Sequence, residues 1–379
     1  MNTNTTTTHK GFGRKVKKTA VLCAALSLAS VLLTACGGTR ENDPIIVSQL
    51  TLDMATEDAV NTSILTAVNT FADEADAFDD AVRDFCILPQ QETLTSLQQQ
   101  WLDLNTAWYR LAPYKFGPME DDVVFPAYIY IDSLRLRGTN YLATVREEIV
   151  ALMTSDTELS TSFFAGKTFQ RQGLLALEVA LFETASNYQT PNSTNNLHIV
   201  EEYFNNNRKC DIINGWSQLL QTRADYIQSG WTDTFKNSSQ SYRDLFISKQ
   251  LDDGAEPISV LLVAAQEHLD YLKQRNVVTT AAQVSDSVWQ AVEASILEIE
   301  QLINGTEASR VSFIELMTSA GHTSSVETVN ENIAAIKMAI QNKDANLFNV
   351  NVALLDGNFK REIPKGLEVE LGLNFTDGD

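Results

Sequence analysis

Apolar residues recur every three to four positions through most of this 379-residue chain, the spacing of one buried helix face. Val60, Ile64, Val68, Phe71, Ala75, Phe78, Val82 and Phe85 form one unbroken stripe that stops short of Pro89. Leu94, Leu97, Trp101, Leu104, Trp108 and Leu111 repeat the pattern up to Pro113. Val284, Val288, Val292, Ile296, Ile299 and Leu302 form a third stripe, closed by the helix stop Asn304-Gly305. Val326, Val329, Ile333, Ile336 and Ile340 make a fourth, and Ile258, Leu261, Ala265, Leu269 and Leu272 a fifth. Strand-type alternation with hairpin turns does not occur, and proline is scarce. The pattern predicts an all-α protein of amphipathic helices packed as bundles.

Residues 45–379 are too many for one simple four-helix bundle. Two up-and-down four-helix bundles packed together are expected, the first over 45–205 and the second over 206–379. The polar stretch from Asn187 to Asn196 and the cluster Asn205-Asn206-Asn207 mark the junction. Two packed bundles leave a crevice, a common location for a ligand site.

The N-terminus breaks the amphipathic pattern. Lys10, Arg14, Lys15, Lys17 and Lys18 form a basic region, followed by an uncharged segment, Thr19 to Ala35, that is short for a membrane span. It ends in Leu33-Thr34-Ala35-Cys36-Gly37-Gly38, which resembles the bacterial lipobox. Residues 1–35 therefore read as a lipoprotein signal peptide, Cys36 as the lipidated first residue, and 36–44 as a tether. Gly37, rather than an aspartate, after the cysteine implies outer-membrane sorting with the protein facing the periplasm. The expected partner is the membrane, through the lipid anchor.

Charge and cysteines refine this picture. The chain carries a net charge of −21, which becomes −26 once the five basic residues of the signal peptide leave. That excludes nucleic acid and anionic lipid surfaces as natural partners. With Cys23 cleaved off and Cys36 acylated, Cys86 and Cys210 remain. In an oxidising compartment they are expected as a disulfide, with two separately buried free thiols as the alternative.

Two segments carry candidate chemistry. Pro113 to Pro126 reads PYKFGPMEDDVVFP, which no continuous helix accommodates. It is expected as an ordered loop placing Glu120, Asp121 and Asp122 at a bundle end, either as a solvated turn or as part of a pocket. RQGLLALEVALF, Arg171 to Phe182, sets Glu178 among Leu174, Leu177 and Leu181. A carboxylate in an apolar helix is costly without a partner. Arg171, Leu175 and Glu178 share a face by their spacing, so Arg171 or Arg110 is expected to neutralise Glu178.

Several of these features together resemble the imelysin-like family of exported bacterial proteins. Trp101 and Trp108 followed by Phe116-Gly117-Pro118 are similar to its Trp-rich helix and FGP loop. Gln172-Gly173-Leu174-Leu175-Ala176-Leu177-Glu178 is similar to its Gly-x-His-x-x-Glu motif. Cys210 with Trp216 resembles the cysteine-led helix of its second half, and Leu371 to Asp379 its usual ending. The resemblance implies two four-helix bundles and a connection with iron uptake. It also implies a pocket at the motif in which the family's histidine and glutamate were proposed as metal ligands. Leu175 stands at the histidine position, and Ala112 where the family tends to carry an acid.

The resemblance admits iron or another divalent metal as cofactor but fixes none. A zinc peptidase would need histidine ligands and a general base on one helix, as in His-Glu-x-x-His. That motif is missing, and His198, His268 and His322 are scattered. His198 with Glu201 reads as a surface pair, and His268 as a flanking residue of its helix. The favoured reading is a non-catalytic binding or accessory protein of iron or haem uptake. The alternatives are a metallopeptidase-type hydrolase and a polysaccharide-binding protein. The candidate pocket comprises Gly173, Leu175, Glu178, Arg171, Arg110, Glu120, Asp121 and Asp122, with no catalytic residue and no metal ligand assigned.

Overall fold

The computed structural model describes residues 47–121, 125–135, 139–185 and 196–371. The signal segment, Cys36, the tether, Asp122 and the C-terminal residues 372–379 lie outside the described residues. Among those described there is helix and loop and no strand, as the stripes require.

The first stripe becomes α1 (Gln49–Ala59) and α2 (Leu65–Ile87). Ser48 caps α1 by accepting a hydrogen bond from the Thr51 amide. Where the sequence pattern is continuous, the backbone is not: Val60–Ile64 forms a π-turn between the two helices. A five-residue turn keeps Val60 and Ile64 buried, so hydrophobic spacing alone does not reveal it. Pro89 ends the run, and α3 (Gln91–Leu111) opens with a Gln90–Thr93 capping box. Short helices α4 (Ala127–Ile131), α5 (Leu142–Met153) and α6 (Thr161–Ala165) lead to the motif helix α7 (Leu174–Phe182). Next come α8 (Asn196–Asn205) and the long α9 (Arg208–Thr232), separated by the break at Asn206 and Asn207. The remainder is α10 (Tyr242–Ile247), α11 (Pro257–Gln274), α12 (Val277–Thr280), α13 (Val288–Asn304), α14 (Phe313–Ser319), α15 (Thr323–Gln341), α16 (Ala345–Lys360) and α17 (Glu362–Gly366).

The third stripe starts one turn later than its spacing predicts. Val284 is buried in the turn before α13, because Ala282 and Asp286 adopt positive φ, which no continuing helix allows. Gly305, with φ near 74°, ends α13 as expected.

Helix α2 packs on α3 and α9; α5 and α7 pack on each other and on α9. On the other side α16 packs on α11 and α15, and α15 on α13. Helix α3 joins the two sets, since it packs on α2, α7 and α13. Trp101, Leu104 and Trp108 of α3 are buried in one continuous core, and the described residues group as one compact unit. Cys86, in the last turn of α2, is disulfide-bonded to Cys210 in the first turn of α9, with Cα atoms 5.7 Å apart. No described helix is long and apolar enough to cross a membrane.

Candidate functional site

Helix α7 begins at a residue only glycine can supply. Gly173 has φ of 79°, and a Cβ there would lie 2.4 Å from the Ile131 carbonyl oxygen and 2.6 Å from that of Tyr130. This close approach presses the motif helix against the end of α4. Trp101 Nε1 donates to the Leu174 carbonyl at 3.3 Å and fixes α3 beside it.

Glu178, 2% exposed, has no cationic partner among the described residues. Its Oε1 accepts hydrogen bonds from the Val284 amide at 3.0 Å, the Ser285 amide at 2.8 Å and the Ser285 hydroxyl at 2.7 Å. The expected ion pair with Arg171 or Arg110 does not form. Arg171 instead meets Glu148 at 2.5 Å, which Lys167 also meets at 2.8 Å. Arg110 lies 3.6 Å from Glu298. The reason is geometric: Arg171 precedes Gly173, and the left-handed residue ends the helical register that would have put Arg171 above Glu178. Burial pushes the Glu178 carboxyl up to about 7, against the opposing pull of the Ser285 and Val284 hydrogen bonds.

A hollow of about 40 Å³, room for a few water molecules, opens beside Glu178. Trp101, Asn105 and Tyr109 line it from α3, Leu174 and Leu175 from α7, and Asp132 from the end of α4. Thr139, Asn140, Thr280 and Ala281 also line it. Asn105 is 4% exposed, and its amide has no protein hydrogen-bond partner among the described residues. Asp132 is held by Trp108 Nε1 at 3.3 Å, the Tyr271 hydroxyl at 3.2 Å and the Leu134 amide at 3.1 Å.

Of the expected pocket residues, Glu178 and Leu175 line the hollow, and Gly173 shapes it through the backbone. Arg171, Arg110, Glu120 and Asp121 do not line it. Glu120 is exposed, and Asp121 accepts from the Tyr226 hydroxyl and pairs with Lys236 at 3.5 Å. The sequence reading passed over Asn105 and Asp132. Asn105 had a signal: four residues past Trp101, it is a polar residue on a buried face of α3.

A second buried polar group lies deeper, between α3, α11 and α13. His268 is fully buried rather than flanking its helix. Ser295 Oγ donates to the Tyr109 carbonyl at 2.6 Å, so His268 Nε2, 3.0 Å from the same oxygen, is the donor to it. Nearby, Tyr114 donates to Glu298 at 2.7 Å. Burial pushes Glu298 up to about 7, with Tyr114 and Arg110 opposing. His198 and Glu201 make the exposed surface pair expected of them, 3.2 Å apart.

The divalent metal implied by the family resemblance does not fit these side chains. Leu175 offers no donor atom, Glu178 Oε1 is filled by three donors, and both Asp132 oxygens accept N–H or O–H groups. No group of three or more His, Cys, Asp or Glu capable of holding a metal occurs among the described residues.

The family model for Imelysin (peptidase M75) matches residues 64–362. Among solved structures, an imelysin-like protein from Psychrobacter arcticum 273-4 is similar at 15% identity and a TM-score of 0.62, covering 86% of this chain and 99% of that one. A putative iron-regulated protein A precursor from Parabacteroides distasonis ATCC 8503 is similar at 12% identity and a TM-score of 0.55, covering 85% and 96%. No curated protein matches the chain by sequence.

Proposed function

The chain belongs to the imelysin family, and on that footing we propose that it is a lipid-anchored, non-catalytic binding or accessory protein of iron or haem uptake. Its place would be the outer membrane, facing the periplasm, with Cys36 acylated. The observation that carries the non-catalytic part is the employment of Glu178. In a chain with histidine at position 175, one helix face would offer imidazole and carboxylate to a first-row metal. Here position 175 is leucine, and the carboxylate holds the backbone of Val284 and Ser285. All three bonds fall on Oε1 and tie the carboxylate to that turn, so only Oε2 is left towards the hollow, and with leucine at position 175 it has no second ligand beside it on the helix face. The link to iron is supported by the similarity to a protein named as iron-regulated.

The test is metal analysis and calorimetry on the purified full chain after loading with iron or zinc, beside a peptide-cleavage assay. The reading expects no stoichiometric zinc at this helix and no cleavage, and metal affinity there only after Leu175→His. Stoichiometric zinc in the wild type that is lost in Glu178→Ala would overturn it in favour of a metallopeptidase.

A further inference from the structure

We propose that the hollow between α3 and α7 takes the ammonium end of a small alkylamine. The inference rests on the binding-protein reading and names the ligand class of the same site. Two buried polar groups carry it. Glu178 lines the hollow, and while its Oε1 takes three bonds from Val284 and Ser285, its Oε2 accepts none from any described residue. Asn105 lines the same hollow, 4% exposed, and its amide is likewise without a protein partner among those residues. Both side chains are almost wholly buried, so the hollow is where these polar atoms find room for a partner.

The chemistry of the lining selects among entrants. The described charged residues that line the hollow, Glu178 and Asp132, are both acidic, which favours a cation over a carboxylate or phosphate. A divalent cation of the Ca²⁺ type needs about six oxygen ligands. Glu178 Oε2 and Asn105 Oδ1 supply two, since the Asp132 oxygens already accept from Trp108, Tyr271 and the Leu134 amide. An ammonium has three N–H donors and no acceptor, so those two oxygens satisfy two of the donors and compensate the charge. The third can take a water, for which there is room. Leu174 and Leu175 then cover the alkyl chain, and Trp101 and Tyr109 supply the aromatic surface to which organic cations are drawn. Leucine at position 175 is in this reading a working part of the site: it replaces a metal ligand with an apolar wall.

The probe is n-butylammonium, titrated by calorimetry into the full chain at constant ionic strength, with n-butanol and n-butyrate as the neutral and anionic equivalents of its size. Butylammonium is expected to bind one to one, and the other two at least about tenfold more weakly, as loss of one charge-assisted hydrogen bond predicts. Glu178→Gln and Asn105→Ala should each weaken butylammonium about tenfold, with near-ultraviolet dichroism unchanged. If Glu178→Gln does not fold, Asn105→Ala decides alone. No binding of butylammonium, equal affinity for all three probes, or unchanged affinity in the folded variants would overturn the proposal. Zinc analysis stays independent: a chain that binds neither zinc nor amine refutes this inference and leaves the non-catalytic reading standing.

Discussion

Replacing Glu178 by glutamine should make stability less dependent on pH, and the size of the change follows from the environment of the carboxyl. The folded carboxyl titrates near 7 against an ordinary value of 4.5. The folded state therefore binds the proton more tightly than the unfolded chain does. Stability from this group is complete below about pH 4.5 and falls as pH rises towards and through 7. A shift of roughly 2.5 units corresponds to about 3 kcal/mol, lost at about 1.4 kcal/mol per pH unit across the window. Glutamine keeps an oxygen for Val284 and Ser285 and does not ionise. The wild type and Glu178→Gln should thus be close in stability at pH 5, with the variant ahead by up to about 3 kcal/mol at pH 8.5. Urea denaturation at half-unit steps from pH 4.5 to 9 measures the difference, and Glu298, unchanged in both proteins, cancels from it. A difference that stays flat across that range, or grows towards acid, refutes the reasoning.

Gly173→Ala should destabilise the fold by about 3 kcal/mol, because φ and ψ there suit glycine alone and the new Cβ meets two carbonyl oxygens; thermal denaturation reads it, and a loss under half a kilocalorie per mole, roughly the scale of a neutral surface change, would contradict it. Cys86→Ser with Cys210→Ser should cost as much as about 5 kcal/mol in the loop-entropy account, given the 124-residue separation; a non-reduced peptide map lacking the Cys86–Cys210 pair would contradict the bridge itself. Cys36→Ala should release the protein from the membrane fraction, and a variant that still sediments with membranes would rule out the lipid anchor.

The fold was legible where burial is one-sided and continuous. The stripes of α2, α3, α13 and α15 announce themselves because every third or fourth residue must meet the core. What spacing does not encode is a change of backbone that preserves burial, hence the unseen π-turn at Val60–Ile64 and the late start of α13. The site was half legible. Gly173 and Glu178 stand out as residues that contradict their surroundings. The partner of Glu178 did not, because a sequence displays charged side chains and hides backbone amides. Val284 and Ser285, more than a hundred positions away, became donors only when two positive-φ residues turned the chain towards α7. His268 was misplaced for a related reason: its apolar stripe gives no hint that Ser295 accepts a hydrogen bond from it.

The three hydrogen bonds to Glu178 also bear on how such a motif is inherited. A lineage that loses the histidine of a metal pair would be free to drift at the carboxylate, unless the carboxylate has acquired a second duty. Here it has one, since removing it would strip a buried turn of its acceptor. Purifying selection would then retain the glutamate whether or not any chemistry is left for it to do. A motif search that scores Glu178 as half of a reactive pair would therefore be reading a residue that the turn at Val284 and Ser285 needs in any case.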